Sequence, residues 1–349
     1  MRIALLAVSW ILIAATLLPF ARSGTWWIRL LDFPRTQLAG LASAVFLGLL
    51  LFRERDLFSI VTFVVLGACV LYQLWELARY TPIRSVQSLP PEHDDPERRV
   101  RILAANILLG NQNVRQYLDI IRREAPDVVV LAEPDSYWEH SLRAIEADYP
   151  YTLKCPLGNT YGMLLYSRLR LSEERIRFRV EQDVPSFSGL LHLRTGDLVE
   201  LHCLHPRPPH LGVDTVERDA ELVLVAKEVK DSPHPVIVTG DLNDVAWSHT
   251  TRLFLRISAL LDPRVGRAFC NTFHAHYRFL RWPLDHLFHS RAFRLVRLQR
   301  LEQTDSDHFP VLIELSFEPE VRAQQERPEA QAEDFAEASD KIETARDSD

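Results

Sequence analysis

A carboxylate and a carboxamide two residues apart, Asp241 and Asn243, follow the apolar run Val236-Ile237-Val238-Thr239 after a single glycine. Such a run reads as a buried strand, and Gly240 permits a sharp turn or a close backbone approach at its end. In an extended chain the two polar side chains project to the same side. An Asp/Asn turn after a strand fits these residues equally well, so partners elsewhere must decide. The sequence supplies them. Asn106 follows an expected strand at 100–105, Glu133 follows one at 128–132, and His205 ends one at 199–205. Asp285 opens a strand at 285–288, and Ser306-Asp307-His308 stands just before one at 311–317. Singly, each has an ordinary reading: a solvated strand end for Glu133, a satisfied core histidine for His205, exposed strand positions for Asp285 and His286, a capped turn for Asp307-His308. Jointly they are the residue types that metal-assisted phosphoester hydrolysis requires. Carboxylate and amide oxygens suit Mg²⁺ or Mn²⁺ rather than zinc. An imidazole held by a carboxylate orients or deprotonates water, and a second imidazole with an amide stabilises charge on a phosphoryl group.

The elements that position these residues alternate. Residues 114–124 and 215–230 carry helical spacing, 163–166 and 190–193 are further strands, and Pro126-Asp127 ends the first helix. Over 100–318 this implies one α/β-type domain. The 349 residues are 47% hydrophobic and 25% charged, enough for a substantial core. Cys69, Cys155, Cys203 and Cys270 are widely spaced and form no CxxC pair, so neither a zinc site nor a disulfide framework is indicated. The net charge of −7 is concentrated in an acidic stretch at 319–349, expected to be a disordered tail. The domain itself is then near neutral, so a nucleic-acid partner is possible but not indicated by charge.

Three uncharged runs, 3–20, 36–52 and 57–74, approach the length of about 20 residues that crosses a bilayer. Trp26, Trp27, Tyr72 and Trp75 stand near their ends, where aromatic rings favour the interface. Residues 1–80 are therefore expected to form a membrane region of three transmembrane helices with the lipid bilayer as partner, and the proline-rich 81–99 a linker. A cleaved leader is disfavoured because Pro19-Phe20-Ala21-Arg22 lacks a small-x-small site. Arg2, Arg53 and Arg55 on one side against Arg22, Arg29, Arg35, Arg79 and Arg84 on the other favour a cytosolic domain. A signal-anchor reading of the first run favours the opposite, and the side stays open.

The order Asn106, Glu133, His205-Pro206, Gly240-Asp241-Leu242-Asn243, Leu284-Asp285-His286-Leu287-Phe288 and Ser306-Asp307-His308-Phe309-Pro310 resembles the endonuclease/exonuclease/phosphatase superfamily over residues 98–317. Pro126-Asp127-Val128-Val129-Val130, Gly162-Met163-Leu164-Leu165-Tyr166-Ser167 and Trp247-Ser248 are similar to its membrane-attached bacterial members. The resemblance implies an α/β (α+β) fold, a four-layer αββα sandwich behind the transmembrane helices, in a bacterial inner membrane. It further implies that Glu133, with Asn106 and Asp307 nearby, holds Mg²⁺ or Mn²⁺. His308 would polarise or deprotonate the attacking water, oriented by Asp285, and Asp241 would position that water or act as base. Asn243 and His205 would bind phosphate. Tyr161-Gly162 stands where the family often places Tyr-Gly, and 272–282 falls where the family varies with substrate. The expected function is a membrane-anchored, metal-dependent phosphodiesterase or phosphatase working by direct water attack on a phosphoester. A membrane-anchored nuclease is the alternative within the class, and a noncatalytic membrane-tethered scaffold the alternative outside it. Substrate identity and oligomeric state stay open.

Overall fold

The computed structural model describes residues 2–51 and 56–347. Its N-terminal region contains α1 (Arg2–Leu17), the single turn α2 (Trp26–Arg29), α3 (Arg35–Leu49) and α4 (Leu57–Ala78). α1, α3 and α4 share an apolar seam that includes Leu12, Ala42 and Leu66. Arg2 pairs with Asp56 at one end of this bundle. At the other end Gln73 accepts from Arg35 and donates to Thr16 Oγ1, each at 3.2 Å. The C-termini of α1 and α4 and the N-terminus of α3 therefore lie together.

Three spans were expected, and two of the three runs form helical segments of spanning length. Among the described residues two helical segments, Arg2–Ala21 and Leu57–Ala78, are long and apolar enough to cross a membrane. The middle run forms a helix of 15 residues, about 22 Å long at 1.5 Å per residue and short of the roughly 30 Å hydrocarbon core. Its polar start is drawn away: Gln37 Nε2 donates to the Phe279 carbonyl, 242 positions along the chain. Phe52 of that run, and the Arg53 and Arg55 of the charge count, lie outside the described residues.

The following domain is built from β1 (Arg99–Asn106), α5 (Val114–Glu124), β2 (Val128–Ala132), α6 (Ser136–Leu142), β3 (Tyr151–Cys155), β4 (Met163–Ser167), β5 (Leu171–Arg177), β6 (Ser186–His192), β7 (Leu198–Cys203), α7 (Val216–Lys230), β8 (Val236–Asp241), α8 (His249–Ser258), β9 (Asp285–His289), β10 (Phe293–Arg300), β11 (Val311–Phe317) and α9 (Ala332–Asp347). One sheet has the order β10-β11-β1-β2-β4-β3 and the other β5-β6-β7-β8-β9. Pairs β1·β2 and β7·β8 are parallel and the rest antiparallel.

Strand alternation divides the apolar residues among three cores. Val128, Val130 and Ile237 enter the core between the sheets. Val129 and Leu131 face α5 and α6, whereas Val236 and Val238 face α7 and α8. Both central strands are thus covered on both faces, which is why they read as continuous apolar runs. Helices, sheet, sheet and helices make four layers. Gly240 has φ +138°, and a Cβ there would lie 1.9 Å from the Leu204 carbonyl oxygen. The close approach inferred for this glycine is therefore to a neighbouring chain segment.

The expectation of a disordered acidic tail is corrected. Pro319–Gln324 is a 3₁₀ turn and α9 is a helix that lies on α7. Phe335, Ala338 and Ile342, spaced to share one helix face, join the core of α7 and α8, and Lys341 pairs with Asp219 at 2.9 Å. The 81–99 connector is likewise held in place, with Ser88 Oγ 2.8 Å from His289 Nε2 and Leu295 N donating to the Leu89 carbonyl.

Candidate active site

The strand registers bring the polar ends together. Asp241 stands opposite Asp285 in the β8·β9 ladder, and Asn106 opposite Ala132 in β1·β2, one residue before Glu133. Glu133 adopts φ +68° and Asn243 φ +51°, left-handed conformations that cost a non-glycine residue free energy and often mark functional positions. Glu133 is anchored by Leu109 N on Oε2 at 2.8 Å and by Asn106 Nδ2 on Oε1 at 2.7 Å. The same amide nitrogen donates to Asp241 Oδ2 at 3.1 Å, so Asn106 bridges two carboxylates from different sheets. Asp241 Oδ1 accepts from Asn243 N at 2.9 Å, and Asn243 Nδ2 donates to the Pro206 carbonyl at 2.9 Å.

His308 completes the group. Its Nδ1 lies 2.8 Å from Asp285 Oδ2 and its Nε2 3.5 Å from Asp241 Oδ2. Burial alone would push the imidazolium down, but the Asp285 and Asp241 carboxylates outweigh it and raise His308 to about 10. His205 places Nε2 4.0 Å from Glu133 and 3.9 Å from Asp241. Its buried Nδ1 has no hydrogen-bond partner among the described residues. Asp307 lines the same cleft, half-buried, and its carbonyl accepts from Ala275 N. The site residues expected from sequence line one cleft of about 300 Å³, except Asp285, which reaches it through its bond to His308. His286, next to Asp285, faces elsewhere, bonded to Arg264 and the Asp244 carbonyl, and burial lowers it to about 3. Arg207 pairs with Glu181 and lies over the Tyr161 ring, whose other neighbour is His205 at 6.1 Å.

Four carboxylates face two imidazoles here. Among the described residues no Lys or Arg forms an ion pair with Glu133, Asp241, Asp285 or Asp307. Such an unbalanced, oxygen-rich set fits a hard divalent cation. Asp241, Asp285 and His308 have ligand atoms within 4.8 Å of one another, but His308 and Asp285 are already committed to each other. Glu133 and Asn106 line the cleft beside them.

Sequence reasoning missed the part of the site that comes from the N-terminal region. Leu30 and Phe33 line the cleft, as do Phe273 and Trp282. The rings run in series: Phe33 meets Trp282 at 5.8 Å, Trp282 stacks on Phe273 at 5.8 Å, and Phe273 lies 4.9 Å from His308. Beneath them Arg29 is buried, bonded to Asp32 at 2.9 Å and Thr250 at 3.1 Å and 3.6 Å from Asp244. Trp247 Nε1 donates to the Asp32 carbonyl at 2.7 Å, and Arg218 donates to the Asn243 carbonyl at 2.8 Å. The segment between α1 and α3 therefore braces the turn that carries Asp241 and Asn243. The only sequence signal for this was a pair of charges, Arg29 and Asp32, between apolar runs.

Comparisons with known proteins agree with this geometry. An uncharacterized protein of Escherichia coli (strain K12), YbhP, is 28% identical over 202 residues, covering 50% of this chain and 76% of that protein. The human Nocturnin catalytic domain with bound sulfate superposes with TM-score 0.53 at 17% identity, covering 68% of this chain and 99% of that one. Danio rerio TDP2 complexed with a single-strand DNA product gives 0.52 at 17% identity, covering 62% and 99%. An endonuclease/exonuclease/phosphatase from Beutenbergia cavernae gives 0.52 at 20% identity, covering 63% and 72%. A profile of the endonuclease/exonuclease/phosphatase family matches residues 77–308, a span that begins at the end of α4 and closes on His308, and the chain belongs to that family.

Proposed function

We propose that this chain is a membrane-anchored, divalent-metal-dependent phosphoester hydrolase, a phosphodiesterase or phosphatase, in which water attacks phosphorus directly. The observation that carries the reading is the bridge made by Asn106 between Glu133 and Asp241, set against the His308–Asp285 pair. Glu133 and Asn106, with Asp307 nearby, would hold Mg²⁺ or Mn²⁺, which supplies Lewis-acid charge at the phosphoryl oxygens. Asp285 fixes the His308 ring through Nδ1 and leaves Nε2 facing the cleft. An imidazole flanked by carboxylates on both nitrogens presents N–H on both, so His308 donates to a phosphoryl oxygen and Asp241 Oδ2 accepts the proton of water. His205 and the second N–H of Asn243, both lining the cleft, bind the remaining phosphate oxygens. Anchoring is supported by the apolar side chains that α1 and α4 turn outward, among them Ile3, Ile11, Val64 and Leu71, all exposed.

The test is hydrolysis of bis-p-nitrophenyl phosphate by the purified full-length chain in detergent with Mg²⁺ or Mn²⁺. Activity abolished by EDTA and cut severely in Glu133→Gln and His308→Ala is the expected result. A wild-type chain inactive on diesters, monoesters, DNA and lipids alike would favour the noncatalytic scaffold.

A further inference from the structure

We propose that the substrate is a membrane lipid with a phosphodiester headgroup, taken directly from the bilayer in which the helices sit; this rests on the hydrolase reading above. The polar floor of the cleft is roofed by apolar side chains of three separate segments, and each leads to the same end of the helix bundle. Leu30 and Phe33 belong to the α1–α3 connection, Phe33 standing two residues before α3 begins. Phe273 and Trp282 are the two arms of a loop whose tip is fully out of the core, with Phe279 88% and Tyr277 60% exposed. That tip is tied to the first turn of α3 by Gln37. Pro208 and Pro209 form the third wall and lead to Leu211, 79% exposed.

Large apolar side chains held out at loop tips are costly in water and are the usual means of entering a membrane interface. Here they belong to the same segments that line the cleft, and at the end of α4 Arg84 lies 3.9 Å over the ring of Trp75. Arg278 and Arg281 flank Phe279 and Leu280, a mixture of cation and aromatic suited to a headgroup layer. An acyl chain would lie against Leu30, Phe33 and Trp282 while the phosphate reaches His205 and His308. The cleft contributes no Lys or Arg among its described lining residues. That favours a diester, with one negative charge, over a monoester with nearly two, and disfavours a polynucleotide, whose binding depends on many cationic contacts. In the reaction, water oxygen forms a bond to phosphorus and one ester P–O bond breaks. The water proton passes to Asp241 and leaves with the departing alcohol, giving a phosphomonoester and an alcohol.

The full-length chain, reconstituted in dioleoylphosphatidylcholine vesicles with Mg²⁺ or Mn²⁺, is given two diesters. One is water-soluble bis-p-nitrophenyl phosphate; the other is dioleoylphosphatidyl-p-nitrophenol in the vesicle, read by release of both p-nitrophenol and diacylglycerol. The Phe279→Ser/Leu280→Ser variant should lose about tenfold or more on the lipid diester, as expected for removing two membrane-buried side chains, while its rate on the soluble diester stays within about twofold. The soluble diester also reports that the variant is folded. Hydrolysis of the soluble diester alone by the wild-type chain, or an equal loss on both substrates in the variant, would overturn the lipid assignment and leave the hydrolase reading standing. A wild-type chain inactive on both would overturn the lipid-diester assignment, and the hydrolase reading would fall with it only if monoesters and DNA are also left intact.

Discussion

His308 stands between two carboxylates, with Nδ1 2.8 Å from Asp285 Oδ2 and Nε2 3.5 Å from Asp241 Oδ2. The Asp285 bond selects the ring orientation, and the two negative charges together hold the ring protonated against its burial. Asp285→Asn removes one of those charges and should lower turnover by about 10²- to 10³-fold, the range for a lost donor to developing oxyanion charge. In the metal-free protein the His308 ring of this variant should titrate clearly below the wild-type value of about 10. A ¹⁵N NMR titration of the ring nitrogens measures this.

Glu133 should matter to the metal before it matters to the substrate. Glu133→Gln keeps the shape and the possibility of bonds to Asn106 and Leu109 but removes the charge that faces the cleft. Calorimetric titration of Mn²⁺ into the substrate-free protein should show affinity weakened by about 10- to 100-fold or more, since losing even an outer partner of a metal ligand costs that much. Unchanged affinity would move the metal away from Glu133.

Arg29 gives a prediction for stability. It is almost fully buried against Asp32 and Asp244, and removing one partner of a buried pair leaves uncompensated charge at a cost of about 3–5 kcal/mol. Arg29→Ala should therefore lower the thermal midpoint of the full-length chain by many degrees. Arg29→Ala/Asp32→Asn should lose less than the sum of the two single changes, because the second removes a charge that the first strands. Additive losses would show that Arg29 acts by packing alone.

Glu221 makes stability depend on pH. Burial in α7 raises its carboxyl from 4.5 to about 7 despite the nearby Arg179, and its Oε1 has no hydrogen-bond partner. Between those values the folded chain holds a proton that the unfolded chain has released. Stability from this group is therefore full below pH 4.5, falls as pH rises toward 7 and stays low above, by about 3 kcal/mol at most. Glu221→Gln should flatten that slope in chemical denaturation series between pH 4.5 and pH 8, and raise stability most at the alkaline end.

How much of this was legible in the sequence follows from which forces leave a local trace. β2 and β8 are buried on both faces, so their residue types had to be apolar throughout and the polar residue after each stood out. β5 and β10 were not foreseen because each is an edge strand, with Glu173, Glu174 and Arg175 in one and three arginine or glutamine positions in the second half of the other. α9 hid its contact face, Phe335, Ala338 and Ile342, among acidic neighbours that composition reads as solvated. Leu30 and Phe33 could not be assigned to the cleft from sequence, because apolar residues beside a span look the same whether they meet lipid or protein. The positions of Asn106, Glu133, Asp241, Asp285 and His308 could be read from strand ends, but the bridge through Asn106 depends on two sheets meeting and has no signature in either strand alone.

The bond from Trp247 to the carbonyl of Asp32 spans 215 positions of chain. A ribosome adding about 5–20 residues per second needs roughly 10–45 s to cover that distance. Through that interval the connection between α1 and α3 exists without the partner that buries Arg29 and Asp32. In the proposed anchored topology the two charges would keep it from being drawn into the hydrocarbon with its neighbours. During biogenesis, then, Arg29 and Asp32 would hold a docking place open at the membrane surface until the second half of the protein arrives.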